Sequence, residues 1–296
     1  MRVLHVSDTH LGIDRWFLGA PRDWRRRDDH HAALRRALAP ALREGVQLVV
    51  HSGDLFDRSR PPAASVAEAA ALLFEVARRV PTIIMPGNHD RHGLRHHFAD
   101  APPGLRILDG PECVELAGLR LGVVPFHREP EQWAAAAALV AEQGVDVLIA
   151  HQAFDGSRVP GFTFRPAPGG ETLGAQHLPR GVGVVLNGHI HTRQNLRIGD
   201  AVVHHVGSTE RTSWVERGEA KAASIWEPGC GARAVDTEPR PMMLVETEEQ
   251  LGDVMPGALV GLGRAVRTQE VEQEALRRGG WVAPWRKPSS QLGLFG

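Results

Sequence analysis

The chain has 296 residues, 42% hydrophobic and 23% charged, which can bury a sizeable core in one large domain with an appendage and excludes a disordered or fibrous polymer. A formal net charge of -1 excludes a globally basic DNA-coating protein, and two distant cysteines, Cys113 and Cys230, exclude a zinc knuckle or a disulfide framework. No apolar run approaches the roughly 20 residues that span a bilayer, and the first residues lack a leader pattern, so a cytoplasmic protein with no membrane partner is expected.

In chain order, the short apolar runs "RVLHVS", "VQLVVHS", "PTIIMP", "VDVLIAH" and "VGVVLNG" read as buried strands of a covered sheet. Between them, "HHAALRRALAPALREG", the alanine-rich stretch 62–80 and "EPEQWAAAAALVAEQG" carry helical spacing, the first and third with a glycine stop. The pattern is α/β. From Arg193 it changes to paired strands, "RQNLRIG" with "AVVHHVGS" across a Gly199-Asp200 turn, then "KAASIWEP" with "ARAVDTEP". These are expected to form a second, largely antiparallel sheet packed on the first, with helices outside. A boundary is placed near Pro239: a catalytic domain over 1–240, a short appendage over 241–283 that is helical from about Pro256 to Arg278, and a mobile tail over 284–296.

Every apolar strand ends in groups that can hold a metal. The first delivers Asp8 and His10 in "SDTH", the second Asp54 in "HSGDLFD", and the third Asn88 and His89 in "GNHD". The fourth delivers His151, and the fifth His189 and His191 in "NGHIH". Open α/β sheets build their sites outside the carboxyl ends of strands, so these scattered side chains can converge. Taken singly, each motif reads as an ordinary turn or exposed loop. All five in order, each after an apolar strand, leave little room for that reading.

Carboxylate, imidazole and amide ligands without thiolate suit manganese, iron, magnesium or zinc in an open site rather than structural zinc. Asp8 and Asp54 are too few carboxylates to neutralise two divalent ions, so the site stays electropositive and attracts phosphate. Hydrolysis of a phosphate ester by two metals is the chemistry that fits. Imidazoles titrate near neutrality, which suits His89 to proton donation toward a leaving oxygen, with Asp57 and Asp90 orienting it or a ligand. His51, His92, His96, His97, His204 and His205 are assigned to the surface or to packing.

This five-block signature resembles the calcineurin-like metallophosphoesterases. The resemblance implies a four-layer α-β-β-α sandwich of two mixed sheets. It implies one metal held by Asp8, His10, Asp54 and His191, a second held by Asp54, Asn88, His151 and His189, Asp54 as the bridge, and His89 as the catalytic histidine. Within that superfamily, "HVSDTHLG", "HSGDLFDRSRPP", "PGNHD", and above all "GSTERTSWVE" from Gly207, followed by "KAASIWE" and "RPM", are similar to the SbcD and meiotic recombination eleven nuclease subunits over roughly Met1 to Met243. That subfamily implies DNA as substrate and an SbcC-type ATPase as partner; a homodimer is also admitted. Its members continue into a larger DNA-capping domain and an ATPase-binding segment, whereas about fifty residues follow Met243 here, which leaves capping geometry, strand-end specificity and the ATPase partnership open and admits a compact or stand-alone relative.

Two further stretches bear on partners. "RWFLGAPRDWRRRDDHH" interleaves Trp16 and Trp24 with Arg15, Arg22, Arg25, Arg26 and Arg27, a composition able to grip phosphates and stack on frayed bases; a solvated helix start is the alternative. With only Lys221 and Lys287 as lysines, the arginine count itself is discounted as a nucleic-acid signal. Near the other end, Gln291, Leu292, Leu294 and Phe295 in "QLGLF" resemble the peptide by which bacterial repair proteins dock on the sliding clamp. The expectation is a manganese-dependent DNA phosphodiesterase. Its rivals are a nucleotide or cyclic-nucleotide phosphoesterase, and an adaptor that binds DNA or the clamp without catalysis.

Overall fold

The computed structural model describes residues 1–43, 45–91 and 93–284. They form two compact units. The first comprises the described residues of Met1–Ile13, His30–Glu210 and Ala220–Pro239; the second comprises Asp14–Asp29, Arg211–Glu219 and the described residues from Arg240 on.

In the first unit, β1 (Val3–Val6), β2 (Leu48–Ser52), β3 (Thr82–Met85) and β4 (Leu105–Ile107) run parallel, in that order. The antiparallel pair β13 (Ala222–Glu227) and β14 (Gly231–Asp236) extends this sheet beside β1. The other sheet begins with β5 (Glu112–Leu116) and runs through β6 (Leu119–Val124), β7 (Val147–His151), β10 (Val184–Gly188) and β12 (Ala201–His205) to β11 (Gln194–Ile198). Its four inner strands are parallel and its two edges antiparallel. A small hairpin, β8 (Arg158–Val159) and β9 (Phe162–Thr163), follows β7.

The paired strands after Arg193 therefore do not make an antiparallel sheet of their own. β12 and β13 are buried along nearly their whole length, so each needs a neighbour on both sides, and each hairpin extends a different parallel core. Two mixed sheets result.

Strand alternation sorts the core into layers. Val3, Leu48, Val50 and Ile83 of the first sheet meet Leu121, Val123, Val147, Ile149 and Leu186 of the second. Leu4, Val6, Val49 and Ile84 face outward onto α1 (Arg26–Arg43) and α2 (Ala63–Ala77). The short α3 (Leu94–His97) adds Leu94 to that layer. On the far side, Leu148, Ala150, Val185 and Val203 pack on Trp133, Ala137 and Val140 of α4 (Pro130–Ala141). The layers are α-β-β-α.

The second unit holds a three-stranded parallel sheet of β15 (Met242–Val245), β16 (Leu259–Leu262) and β17 (Trp281–Val282). The helix expected from Pro256 to Arg278 is confined to α5 (Gln269–Arg277), where Thr268 Oγ1 accepts from the backbone N–H of Val271. The preceding stretch is the fully buried strand β16, and Gly257, Gly261 and Gly263 disfavour a helix there. Residues 14–29 join this unit because Leu18 exchanges two backbone hydrogen bonds of 2.8 Å with Val282. No described helix is long and apolar enough to cross a membrane.

Candidate metal centre

Because β1, β2 and β3 are parallel, as are β7 and β10, the segments after them leave the same edge of the first unit. The segment after β1 carries Asp8 and His10, that after β2 Asp54 and Asp57, and that after β3 Asn88, His89 and Asp90. His151 ends β7, and His189 and His191 follow β10. The first two segments stay in register, with Asp8 N–H donating to Gly53 O and His10 N–H to Asp54 O at 3.0 Å each.

Asp8, His10, Asp54 and His189 have φ of 50°, 50°, 53° and 73°, a left-handed conformation that non-glycine residues rarely adopt. At these four positions the chain turns sharply at a residue that offers a candidate ligand group. The crowding leaves no room for side chains beside them: a Cβ on Gly53 would strike His151 Nδ1, and one on Gly188 would strike Ser7 Oγ.

The donor atoms converge. Asn88 Oδ1 lies 3.2 Å from His151 Nε2 and 2.9 Å from His189 Nδ1. His10 Nε2 lies 3.0 Å from His191 Nε2. Asp54 Oδ2 sits between the two groups, 3.3 Å from His151 Nε2 and 3.7 Å from His10 Nε2. Asp8 Oδ1 is 3.9 Å from the Nε2 atoms of both His151 and His191 and accepts the His189 backbone N–H at 3.1 Å. Ligands at about 2.0–2.2 Å from a shared ion stand about 3–3.6 Å apart, so these spacings are mostly those of a coordination shell.

Other contacts aim the ligands. His151 Nδ1 meets the Ser52 carbonyl at 2.7 Å, which makes Nδ1 the protonated nitrogen and leaves Nε2 free to coordinate. His89 Nδ1–H donates to the Asp57 carbonyl at 2.9 Å, while its backbone N–H donates to Asp54 Oδ1. The Asp57 carboxylate faces His10 Nδ1 at 3.6 Å, and Asp90 accepts from the N–H groups of Gly87 and Phe56, tying the β3 and β2 segments together. Of the other histidines, His51 is buried against Thr9 Oγ1, His204 meets Asn195, His97 packs on Phe56, His96 packs beside His97, and His92 lies outside the described residues.

The electrostatics suit a site for cations. Asp8 Oδ2 is buried and has no hydrogen-bond partner among the described residues, a costly state for an anion unless a positive charge faces it. Burial alone would raise the Asp54 pKa, but His151, with His10 and His89, holds it well below the usual carboxylate range. Burial opposes protonation of His151, yet Asp54, Asp8 and the Ser52 carbonyl raise its pKa to about 9. Two carboxylates thus draw protons onto the very nitrogens a metal would use. His189 is pushed the other way, to about 3, by burial and the neighbouring His151, and burial with the nearby Asp54 raises Asp90 to about 6. The nearby groups Asp8, His10 and His191; Asp8, Asp54 and His151; and His10, Asp54 and His89 could each hold an ion.

With this geometry in view, comparison with known proteins is decisive on family. The sequence profile of the calcineurin-like phosphoesterases matches residues 1–193. The chain belongs to the calcineurin-like phosphoesterase family. Among relatives of this phosphoesterase, the "DNA double-strand break repair protein Mre11" of Saccharolobus solfataricus is 28% identical over 212 residues, 69% of this chain and 52% of its own length. That of Halobacterium salinarum is 29% identical over 73% of this chain and 54% of its own. That of Thermoplasma acidophilum is 26% identical over 79% and 61%. The phosphoesterase spans about half the length of the first two.

The arginine- and tryptophan-rich stretch is divided by the structure. Arg26 is buried, bonding Asp29 and the Arg211 carbonyl at 2.6 Å each. Trp24 packs on Phe17 and Trp281, with the Arg240 guanidinium 5.1 Å from its ring. Arg25 bonds the Arg22 and Trp24 carbonyls. Those three side chains build the second unit, while Arg15, Trp16 and Arg22 are exposed. Gln291, Leu292, Leu294 and Phe295 lie outside the described residues.

Sequence reasoning missed a supporting layer. Phe126 packs 5.5 Å from the His189 ring and 6.5 Å from His151. Asn187 Nδ2 reaches Gln152 O, Gly188 O and His205 Nδ1. Lys221, buried, donates to the His191 carbonyl. Asn187, inside "NGHIH", and Lys221, which opens "KAASIWE", lie in motifs that stood out in the sequence, but neither motif says which group they bond.

Proposed function

We propose that this site holds two divalent metal ions and hydrolyses DNA phosphodiester bonds. One ion would be held by Asp8, His10, Asp54 and His191, the other by Asp54, Asn88, His151 and His189. The observation that carries this reading is the place of Asp54 Oδ2 between His10 Nε2 and His151 Nε2, which suits a bridging carboxylate. When bound, such ions activate water and offset negative charge on the phosphoryl group.

The chain's own groups do the rest. Asp57 fixes His89 through its backbone carbonyl and steadies His10 with its carboxylate. With Nδ1–H engaged, His89 Nε2 is the nitrogen that can carry a proton to the leaving oxygen. Asp90 keeps the Asn88 and Asp54 segments at a fixed separation.

DNA as the substrate is supported by the names of the Mre11 relatives and by exposed Arg15, Trp16 and Arg22, which follow the first ligand segment in sequence. Manganese suits the carboxylate, imidazole and amide ligands, and an SbcC-type ATPase is the partner this reading implies. The experiment is manganese-dependent cleavage of end-labelled duplex and single-stranded DNA, with a parallel panel of nucleotides. DNA degradation is expected, with Asp54→Ala and His89→Ala each reducing it at least about 100-fold; turnover of nucleotides alone would instead make this a small-molecule phosphoesterase.

Recruitment to the sliding clamp through Gln291, Leu292, Leu294 and Phe295 is part of the same proposal. Deleting residues 291–296 is expected to abolish clamp binding and spare nuclease activity. A full chain with no affinity for the clamp would sink it.

A further inference from the structure

The segment "GSTE", Gly207–Glu210, contains no ligand in the reading above, yet Ser208, Thr209 and Glu210 are buried as deeply as the metal site. Its backbone explains why. Ser208 N–H donates to the His191 carbonyl at 3.1 Å, and Lys221 Nζ donates to the same oxygen at 3.0 Å. Both acceptor directions of that carbonyl are thereby used. Gly207, at φ +83°, passes so close that a Cβ there would lie 2.9 Å from both His191 O and Arg193 N.

The two arms are also joined behind the site. Thr237 Oγ1 donates to Thr209 O at 2.6 Å, and Thr237 N–H donates to Lys221 O. Ser208 Oγ closes the turn onto Glu210 O at 2.8 Å. Lys221 is 1% exposed and is one of two lysines in the chain. Burying an ammonium group requires compensating contacts, and here one of them is made to the backbone of a residue that presents a ligand nitrogen.

We infer that Gly207–Glu210 and Lys221 form a bracket that fixes the His191 backbone, making Lys221 a positioning residue for the ion His191 helps to hold. The inference rests on the two-ion reading. By fixing the carbonyl, the bracket limits rotation of the peptide that follows His191 and so sets where the imidazole starts from. Ligands held from one side by such contacts lose affinity selectively when the contact is removed. The companion ion takes its histidine from this segment two residues earlier, at His189, whose backbone N–H is bonded to Asp8 instead.

The test is a manganese titration of the full chain, followed by calorimetry and by electron paramagnetic resonance. The wild type is expected to take up two ions per chain and give the spectrum of a spin-coupled pair. In Lys221→Met one ion is expected to bind about 10- to 100-fold more weakly and the pair spectrum to be replaced by that of isolated manganese. His191→Ala should give the same spectrum, and His189→Ala a different one. Gly207→Ala perturbs the same carbonyl from the other side and should weaken the same ion.

A folded Lys221→Met or Gly207→Ala protein that keeps both ions at wild-type affinity would overturn the inference. So would equal loss of both ions, which would make the bracket a general structural element. Failure of the wild type to bind a pair would instead remove the two-ion reading itself.

Discussion

His205 lies behind the site on β12, where Asn187 Nδ2 donates to its Nδ1 and its Nε2 meets Ser157 Oγ at 3.1 Å. Burial, helped by the neighbouring His151, lowers its pKa to about 3, so folding holds this ring neutral. An unfolded histidine titrates near 6.5, so below that pH the unfolded chain binds the extra proton. The stabilising contribution is therefore complete above about pH 6.5 and is lost as pH falls toward about 3. Metal-free protein is expected to lose about 1.4 kcal/mol per pH unit from this residue across that window. In urea denaturation series, His205→Gln should flatten the acid limb by about that slope; an unchanged limb would mean the ring takes a proton in the folded state. The ligand-bearing residues store a different kind of tension, since four of them hold left-handed backbone at roughly 1 kcal/mol or more each. Coordination is what such geometry is suited to repay.

At the scale of elements, the sequence was most legible where one physical demand dominated. β1, β2, β3, β7 and β10 are covered on both faces, so their apolar runs were continuous, and each stops where Asp8, Asp54, Asn88, His151 or His189 must leave the sheet. The three strands between Leu105 and Val124 are not legible in the sequence. Its tight turn puts Ala117 and Gly118 at φ of 51° and 79°, and alanine gives none of the asparagine or aspartate signal that such a turn usually carries. β16 reads as helix in the sequence because a four-residue apolar run has no readable period. Long-range pairing was also hidden: nothing in "AVVHHVGS" or "KAASIWEP" says that β12 pairs with β10 and β13 with β1. For the same reason Lys221 and Ser208, which contact His191 from positions remote in sequence, could not be found from spacing.

The first unit as a whole brings the proposed ligands to the site from two sheets. Asp8, His10, Asp54 and Asn88 follow strands of one sheet; His151, His189 and His191 belong to strands, or follow strands, of the other. In the proposed assignment each ion takes ligands from both, so metal binding links the sheets at the edge where their apolar packing ends. Binding to the folded state alone stabilises by about 2.7 kcal/mol per site when free metal is about 100 times the dissociation constant. Filling both sites would then raise the melting temperature by roughly 10–20 °C for a unit of this size, and chelation should reverse the gain. Hydrogen exchange locates the effect. On chelation, protection is expected to fall together at His10 and Leu11 beyond β1, at Asp57 beyond β2, and at His189 and Ser208 beyond β10 and β12. All four stretches contain backbone N–H groups tied to the ligand segments. Loss confined to the segments of one sheet would show that no ion spans the pair, and the assignment of His191 and His189 to separate ions would have to be redrawn.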